Sequence, residues 1–457
     1  MATISNGTPA TGSTATSNCS RSSSSTSIVA QYAAGRPNPA GTFGHLSGDE
    51  EELLRALWQK LLAAFKDTAP LTAAAAGGDG GAATRRSERA LQPRASEPAA
   101  SGWFGLGLGA AAKAEPAEYR QMVHAVAAES SRPPAFPATD KPATMRAAFW
   151  AAARCDHPDV LVLRFLRARK WQVDDALAML LACLRWRVVE EVDWLTWHGE
   201  SALNLALLRR GIGAVHKTDR LGHPVLHIPV RLNDPSAQPR EQILDYTIYL
   251  MELARALLRP PVEKVCLLFD TTDIALSNMD WAFFRSFMAY LEHYYPECLG
   301  LVLIYRASWV FNKLWKLIRP LLDPVVASKV HFVNSPAELQ QFIDPAALPA
   351  ALGGASDFAY EYVLPAPDEN AAMHDAPRRD ALLAERAAAC DALELATASW
   401  ATADASTPDA ERAALDADRS RAADRLIAAS NAADPYIRAR TLYHRTGVID
   451  SQLAVHL

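Results

Sequence analysis

The chain has 457 residues, half of them hydrophobic, and a formal net charge of -5 at pH 7. This length and apolar content suffice for a sizeable core and for two or more structural units. The near-balanced charge provides no basic footprint, which argues against nucleic acid as a partner. Runs of eighteen or more apolar residues are absent, so any contact with a membrane is expected to be peripheral.

The six cysteines are far apart in the sequence and form no C-x-x-C pair. We therefore expect reduced, mostly buried thiols in a cytoplasmic protein, without a disulfide framework. Residues 1–48 are rich in Ser and Thr and hold only Arg21 and Arg36 as charged groups. This composition favours a disordered tail over a transit peptide, because basic residues are so few.

Residues 49–143 are predicted to hold one helix and low-complexity linkers. The helix begins in "SGDEEELLRALWQKLLAAFK", where Ser47 and Glu50 have the spacing of a capping box. Residues 144–205 are predicted to form a helical module. In its segment "DDALAMLLACLRWRVVEE" we expect Asp174 as N-cap. The apolar stripe of this helix consists of Leu177, Leu180, Leu181, Leu184 and Val188.

Residues 206–355 alternate strands with helices, which predicts an α/β domain. Continuous apolar strands such as "VEKVCLLFD" and "GLVLIYR" belong in a sheet that is covered on both faces. Residues 356–457 are Ala-rich, and two long helices there are expected to form an antiparallel hairpin. Asp434-Pro435 is expected to start a further short helix that Gly447 ends.

The segment "VFNKLWKLIRPLLDPVVASKV" at residues 310–330 has helical spacing and a very wide apolar face. Lys313, Lys316 and Arg319 form a narrow basic edge along it. Pro320 is expected to kink or end the helix. Taken alone, the segment fits a core helix with a solvated basic edge.

Motifs that carry common chemistries are absent. The sequence has no G-x-x-x-x-G-K-[ST] for a nucleotide, no G-x-S-x-G elbow and no H-E-x-x-H. His223 and His227 are four residues apart on a predicted strand, which favours a structural role over a metal site. We expect neither an enzyme nor a cofactor nor a metal centre.

Five stretches in order carry a family resemblance: "LVLRFLRARKW", "HKTDRLGHPV", "YYPECLGLVLIYRASWVFNKLW", "LLDPVVASKV" and "LPAALGG". They resemble the CRAL-TRIO lipid-binding family and, within it, the fungal phosphatidylinositol-transfer proteins. The likeness runs from Thr144 to Gly354, just under half the chain. It implies an N-terminal helical module and a mixed sheet whose helices enclose a lipid pocket, followed here by a C-terminal helical extension.

The resemblance assigns the segment at 310–330 a role as the mobile gate helix of that pocket. Its basic edge, Lys313, Lys316 and Arg319, would face anionic membrane headgroups. The gate residues implied to touch lipid or core are Phe311, Leu314, Trp315, Ile318, Leu321 and Leu322.

The resemblance also implies a headgroup site. An arginine of "LRARK", the glutamate of "YPE" and the lysine that ends "SK" correspond to Arg169, Glu297 and Lys329. Cations suit the phosphate of phosphatidylinositol, and a carboxylate accepts hydrogen bonds from the inositol hydroxyls. A structural salt bridge is the alternative role for each of these residues.

Several positions depart from the family pattern. Positions that supply hydroxyl groups to phosphatidylcholine in members with two ligands are here apolar, namely Val215, Leu226, Val265 and Leu267. A choline phosphodiester needs polar partners. We therefore expect the second cargo to be a sterol, a squalene-like lipid or another neutral lipid. Val326 replaces a threonine near the headgroup lysine.

The combined prediction is a non-enzymatic carrier, peripheral at membranes, that moves phosphatidylinositol and a second hydrophobic lipid or presents them to lipid kinases. The alternative is a lipid-sensing scaffold whose C-terminal helices bind a protein partner.

Overall fold

The computed structural model describes residues 40–71, 132–154, 156–259, 261–278, 280–308, 311, 315, 319, 324–404 and 406–457. Residues 1–39 of the predicted N-terminal tail and most of the low-complexity linkers lie outside these residues. Residues 40–48 of that tail are described, and the N–H of Phe43 donates to Glu263 Oε1 at 3.2 Å. The first described helices are α1 (Gly48–Ala64), α2 (Met145–Ala153), α3 (Pro158–Ala168), α4 (Val173–Val189), α5 (Val192–His198) and α6 (Leu205–Arg210).

The start of α1 is the capping box predicted from its sequence. The side chain of Ser47 accepts from the backbone N–H of Glu50, and the carboxylate of Glu50 accepts from the N–H of Ser47. The prediction for α4 was wrong at its N-terminus, because Gln172 is the N-cap and Asp174 lies in the first turn. A carboxylate is favourable at either position, since both lie near the positive end of the helix dipole.

The centre of the fold is a five-stranded mixed sheet in the order β1-β2-β3-β4-β5. The first pair of strands is antiparallel and the other three pairs are parallel. The α/β fold class with a mixed sheet is therefore confirmed. In chain order the elements are β1 (Ala214–Thr218), β2 (Pro224–Pro229), α7 (Arg240–Leu257), β3 (Val265–Asp270), α8 (Trp281–Ala289), β4 (Leu299–Tyr305), α9 (Pro324–Ser328), β5 (Val330–Val333) and α10 (Pro336–Leu339). A π-helical turn, Tyr290–Tyr294, continues α8.

Alternation of side chains along the strands gives the sheet two apolar faces. The front face packs in one cluster with α7 and includes Val215, Leu226, Leu267, Val302 and Ile304. The back face packs against the chain at 339–352 and includes Val225, Cys266, Leu268, Leu301 and Leu303. Both faces are thus covered in the middle of the sheet, as continuous apolar strands require.

The C-terminal region consists of α11 (Ala376–Thr402), α12 (Asp409–Ile437) and α13 (Leu442–Arg445). Helices α11 and α12 form a hairpin. The helix predicted to start at Asp434-Pro435 does not exist as such. Pro435 lies in the last turn of α12, which ends two residues later. The missing N–H of a proline therefore affects only the end of the helix, and the short helix α13 starts further on.

The α11–α12 hairpin shares one buried core with α1, α2, α3 and α4. A buried polar cluster fixes this contact. Both oxygens of Asp159 on α3 accept from the Arg419 guanidinium of α12, at 2.5 and 2.7 Å, and Asp159 also accepts from Trp58 Nε1 at 2.7 Å. The extension is therefore an integral part of the helical module rather than an appendage.

The chain after α12 is tied to the sheet region through Glu200, which is buried between α5 and α6. Its carboxylate accepts from Tyr249 of α7 at 2.9 Å and from Tyr362 at 2.7 Å. The backbone N–H of Leu442 and the guanidinium of Arg445 donate to the same carboxylate. One carboxylate therefore links α7, the residue 362 segment and α13. Among the described residues no helix is both long and apolar enough to cross a bilayer.

Candidate functional site

Three charged side chains meet at the amino ends of neighbouring parallel strands. Lys264 directly precedes β3, Glu297 lies two residues before β4, and Lys329 directly precedes β5. Glu297 Oε2 is 3.8 Å from Lys329 Nζ and 4.0 Å from Lys264 Nζ. We call these three residues the charged corner.

Strand pairing holds the charged corner in place. The N–H of Val265 donates to the carbonyl of Cys298 at 2.8 Å, and the N–H of Val302 donates to the carbonyl of Lys329 at 2.9 Å. Glu297 itself has a left-handed φ of 55°. That conformation costs a non-glycine residue roughly 1–2 kcal/mol, so the turn holds the carboxylate in place at a cost in stability.

The ion pairs of the charged corner are too long to be hydrogen bonds. The three side chains are 11–19% exposed. Within the described part of the chain, none of their charged atoms makes a direct hydrogen bond. Mostly buried charged groups normally have such partners. The corner therefore presents two ammonium donors and one carboxylate acceptor to a polar ligand.

Lys264 is the most perturbed member of the corner. Burial is the largest cause and the neighbouring Lys329 the next, and together they lower the pKa of Lys264 to about 8 although Glu297 opposes the shift. A phosphate at this corner would favour the charged form of Lys264, because an anion favours the ammonium state.

The predicted headgroup residue Arg169 takes no part in the ion pairs of the charged corner. It is the half-buried C-cap residue of α3, and no hydrogen bond or ion pair among the described residues joins it to Glu297 or Lys329. The structure instead brings Arg167 near the corner, where its guanidinium pairs with Glu263 at 2.8 Å. Glu263 is the neighbour of Lys264. The structure therefore places two of the three predicted headgroup residues, Glu297 and Lys329, in one ion pair. Arg169 is not part of that pair.

The four apolar positions predicted to line the pocket all lie on the front face. They belong to the same cluster as α7 and are each at most 9% exposed: Val215, Leu226, Val265 and Leu267. No hydroxyl group comes from these positions. The middle of the front face is therefore an apolar wall.

The front face is less covered towards α8 and the carboxyl ends of β2 and β3. Ile228, Phe269 and Phe332 are half-buried there and belong to the front-face cluster. Helix α8 contributes Phe283 and Phe287, whose rings lie 6.0 Å apart and are also half-buried. An apolar surface of this kind normally receives a cover.

The gate segment begins beside that surface. Phe311 and Trp315 are half-buried, and their ring centroids lie 6.2 and 5.6 Å from that of Phe332. Arg319 is exposed, as expected for a basic edge. The segment ends at α9, directly before Lys329. The other gate residues predicted from the sequence lie outside the described residues: Lys313, Leu314, Lys316, Ile318, Leu321 and Leu322.

The described cysteines are unpaired and buried. Burial raises the pKa of Cys183 to about 12, and that of Cys390 to about 11. Thiols of this kind are poor nucleophiles at neutral pH, because the thiolate is the reactive form. The charged corner and the apolar front face are together suited to a molecule with a polar end and an apolar body.

Two parts of the chain match known protein-family models. Residues 208–354 match the CRAL/TRIO domain, and residues 118–182 match the CRAL/TRIO, N-terminal domain. A CRAL-TRIO domain-containing protein of Schizosaccharomyces pombe is 35% identical over 319 residues, which are 68% of this chain and 70% of that protein. The chain belongs to the CRAL/TRIO family.

Other CRAL/TRIO relatives carry functional names. Phosphatidylinositol transfer protein CSR1 of Eremothecium gossypii is 33% identical over 310 residues, which are 66% of this chain and 70% of that protein. The Sec14 cytosolic factor of Schizosaccharomyces pombe is 27% identical over 212 residues, 43% of this chain and 74% of that protein. The crystal structure of Sfh5 aligns with 46% of this chain and 77% of its own, at 17% identity and a TM-score of 0.38.

Membership of the CRAL/TRIO family confirms the resemblance read from the five sequence stretches. It also makes this a member of a lipid-binding and lipid-transfer family that is generally non-enzymatic, which confirms the prediction that the protein is not an enzyme.

Sequence reasoning missed Lys264 in this CRAL/TRIO site. A lysine at the start of an apolar strand looks like an ordinary solvated strand end. The available signal was positional: Lys264, Glu297 and Lys329 each stand within three residues of a predicted strand start. Parallel neighbouring strands bring their starts to one edge of the sheet.

Proposed function

We propose that this protein is a phosphatidylinositol-transfer protein, which shelters the acyl chains of the lipid on the front face and holds its headgroup at the charged corner. The observation that carries the proposal is the set of mostly buried charges without direct hydrogen bonds, Lys264, Glu297 and Lys329, at the edge of an apolar sheet face. The name of the relative CSR1 supports the same ligand.

The corner has the donors and acceptors that an inositol phosphate needs. Ammonium groups of Lys264 and Lys329 would bind the phosphodiester through charge-assisted hydrogen bonds. The free lone pairs of the Glu297 carboxylate would accept from ring hydroxyls. Arg169 remains a proposed headgroup residue. It would contact the headgroup if the C-terminal end of α3 turned towards the ligand.

The energetics require an enclosed apolar site. Two acyl chains contain on the order of 30 methylene groups, each worth about 0.8 kcal/mol on transfer out of water. Extraction into water would therefore cost more than about 20 kcal/mol, so the protein has to supply an equally apolar surface. The front face and α8 supply such a surface, and the gate segment is the proposed cover.

Opening of that cover is proposed to occur at the membrane. Exposing ~300 Å² of apolar gate surface to water would cost about 7 kcal/mol, whereas lipid would cover the same face. Lys313, Lys316 and Arg319 would add about 1 kcal/mol each near an anionic surface. Because α9 and Lys329 form the C-terminal end of the gate segment, movement of the gate would also displace Lys329 from the headgroup.

The second cargo is proposed to be a neutral lipid. The four front-face positions without hydroxyl groups, Val215, Leu226, Val265 and Leu267, are buried against an apolar cluster. A choline phosphodiester would lose its hydrogen bonds to water there without replacement. A sterol or a squalene-like molecule would lose none. Presentation of phosphatidylinositol to lipid kinases at cytoplasmic membrane surfaces is the proposed use of the exchange.

The proposal is tested by transfer of labelled phosphatidylinositol between vesicles. The double variant Glu297→Lys with Lys329→Ala is expected to lose most of the transfer rate. Lys60→Ala, which removes an exposed ion pair with Asp174 on the helical module, serves as the matched control and should transfer normally. Equal rates for the wild type and the double variant would rule out the headgroup site.

The alternative, a lipid-sensing scaffold, also stays a prediction. The apolar stripes of α11 and α12 are used against the helical module, which leaves a polar outer surface around Leu395, exposed to 72%. Single exposed leucines are common. A protein partner captured by the wild type and lost with Leu395→Ser, at unchanged transfer, would favour the scaffold.

A further inference from the structure

A second polar pocket lies where three parts of the protein meet. Its walls come from the end of α2 and from α5, from α7, and from the residue 438–441 segment that follows α12. The pocket contains none of the residues of the charged corner. Its cavity volume is about 50 Å³, several times the roughly 10–15 Å³ that one water molecule needs. We call it the junction pocket.

Four arginines contribute to the lining of the junction pocket. Arg154, Arg255, Arg259 and Arg438 line it, against two carboxylates, Asp156 and Glu252. Both carboxylates also interact with arginines that do not line the pocket. Both oxygens of Glu252 accept from Arg187, at 2.8 and 3.0 Å, and Asp156 Oδ2 lies 3.7 Å from Arg164 Nη1. Arg154 and Arg438 in turn pair with carboxylates outside the lining, those of Asp193 and Asp434. The lining residues themselves carry four positive charges against two negative ones.

Arg259 has no carboxylate partner among the described residues. Its guanidinium donates only to backbone carbonyls: to Ala256 at 2.7 Å, to Leu258 at 2.8 Å and to Leu453 at 2.9 Å. Carbonyl oxygens satisfy donors but leave the net charge of the guanidinium in place. Such a charge at the edge of a crevice attracts an anion.

Two further arginines have unused donors. Arg154 pairs with Asp193 at 2.6 Å, and Arg255 donates to Asp156 at 3.0 Å. The Nε–H groups of both side chains are nevertheless buried without a hydrogen-bond partner. A buried donor left unpaired costs about 1–3 kcal/mol, and the Nε atoms of Arg164 and Arg187, outside the pocket lining, share this feature.

The chain beyond the pocket lies in the same positive field. Burial is the largest cause that lowers the pKa of His444 to about 3, and Arg440 and Arg438 are the next. His444 caps α13, only three residues after Thr441 of the pocket wall. Arg438 and Arg440 therefore contribute positive potential at the start of α13, beside the pocket wall.

We propose that the junction pocket binds a phosphate group, either as a free phosphate or phosphomonoester or as part of a lipid. Guanidinium groups match phosphate oxygens in geometry as well as charge. The walls supply several of them within one small cavity. The proposal does not depend on phosphatidylinositol transfer, because the charged corner plays no part in it.

A bound phosphate would join three separate parts of the chain. It would link α2 of the helical module, α7 of the sheet region and the C-terminal extension at residues 438–441. A ligand that binds only the native state stabilises it in proportion to the logarithm of its concentration. Occupancy of the junction pocket would therefore control how firmly the extension is held.

The test is calorimetric titration of the full-length protein with inorganic phosphate, and with chloride at matched ionic strength. The wild type is expected to bind phosphate saturably. Arg259→Gln and Arg154→Gln are each expected to weaken binding about tenfold or more, the loss of one charge-assisted contact. Arg220→Gln is the control, since Arg220 also donates to a backbone carbonyl, that of Gln340, and is not part of the pocket lining. Arg220 additionally pairs with Asp344 at 3.4 Å, on the protein surface.

Circular dichroism would check that each variant is folded. If one of the two pocket variants fails to fold, the other still tests the proposal. A parallel titration uses phosphatidylcholine vesicles with and without phosphatidic acid. Binding confined to vesicles with phosphatidic acid, and weakened by Arg259→Gln, supports a lipid source of the phosphate. Absence of saturable binding to either probe, or equal binding by the wild type and both pocket variants, overturns the proposal.

Discussion

Helices α3 and α8 are both rich in apolar side chains, yet the protein covers them differently. Nine of the eleven residues of α3 are buried. In α8, none of the described side chains is buried, although Phe283, Phe284 and Phe287 lie on it. Helix α3 is enclosed by α1, α4 and the C-terminal hairpin, whereas α8 packs on α7 and its described side chains stay half-buried or exposed.

The two regions therefore differ in how completely the described residues bury their apolar side chains. The core around α3 is closed by the chain, including residues 260 positions away at Arg419. The described apolar side chains of α8 are only half-buried, and their proposed cover is the gate segment together with lipid. The four predictions below test this contrast, beginning with the largest expected effect.

Truncation in the closed core should destabilise the protein most. Phe165 of α3 is 1% exposed. Phe165→Ala should lower the free energy of unfolding by about 3–5 kcal/mol, because the large cavity left behind can relax only partly. Urea denaturation measures the loss. Leu395→Ala on the exposed side of α11 is the control and should change stability by less than about 0.5 kcal/mol. A loss below about 1.5 kcal/mol for Phe165→Ala would contradict a closed core.

Acid should weaken the same closed core. Burial alone would raise the pKa of Asp159, but the Arg419 guanidinium outweighs it and lowers the pKa to about 2. The depressed pKa contributes stability above the unfolded value near 4, and that stability is lost as the pH falls through 2. We expect a loss of about 2 kcal/mol from this group.

Unfolding free energies at pH 6, 4 and 2.5 would measure this effect. In Asp159→Asn the same interval should show a shallower fall, since the titrating group is gone. Identical pH profiles for the wild type and Asp159→Asn would show that the Asp159–Arg419 pair does not stabilise the helical module in this way.

Truncation on α8 should affect lipid rather than folding. Phe287 is half-buried, so Phe287→Ala should lower the unfolding free energy by less than about 1.5 kcal/mol, below the range for buried phenylalanines. Its loading with phosphatidylinositol should fall several-fold, because a stacked ring is removed from the surface that faces the acyl chains. Lipid extraction and quantification of the purified variant checks this. Phe287→Ala that unfolds as readily as Phe165→Ala would remove the contrast between the two helices.

The smallest predicted effect is a pH dependence at the charged corner between the two regions. Since the pKa of Lys264 is lowered to about 8, raising the pH from 7 to 9 should neutralise this lysine in the empty site. Binding of the phosphate of phosphatidylinositol should then weaken a few-fold, because one cation is lost. Lys264→Met should bind more weakly at pH 7 and lose this dependence. A wild type whose affinity is constant over the same range would contradict a role for Lys264.

The sheet could be predicted from the sequence, because its strands are continuous apolar runs bounded by turn residues. The capping box of α1 was equally clear, since it depends on Ser47 and Glu50 alone. The pairing of Asp159 with Arg419 could not be predicted, because it joins residues far apart whose charges look like ordinary helix surface. Pro435 was misread for a related reason: a proline is tolerated within the last turn of a helix, and sequence alone does not fix where that turn ends.

The candidate site shows the same limit. Glu297 and Lys329 were found through the family resemblance, and strand pairing brings them to one edge of the sheet. Lys264 was missed because its burial and its proximity to Lys329 arise only when the strands assemble into the sheet. Arg169 was proposed from its place in a motif, whereas its actual surroundings depend on how the end of α3 turns.

The most direct measurement is native mass spectrometry of the purified full-length protein. The account predicts one phosphatidylinositol molecule bound to the wild type, and its absence from the double variant Glu297→Lys with Lys329→Ala. A wild type that carries no lipid after incubation with phosphatidylinositol vesicles, or a double variant that carries phosphatidylinositol to the same extent, would contradict it.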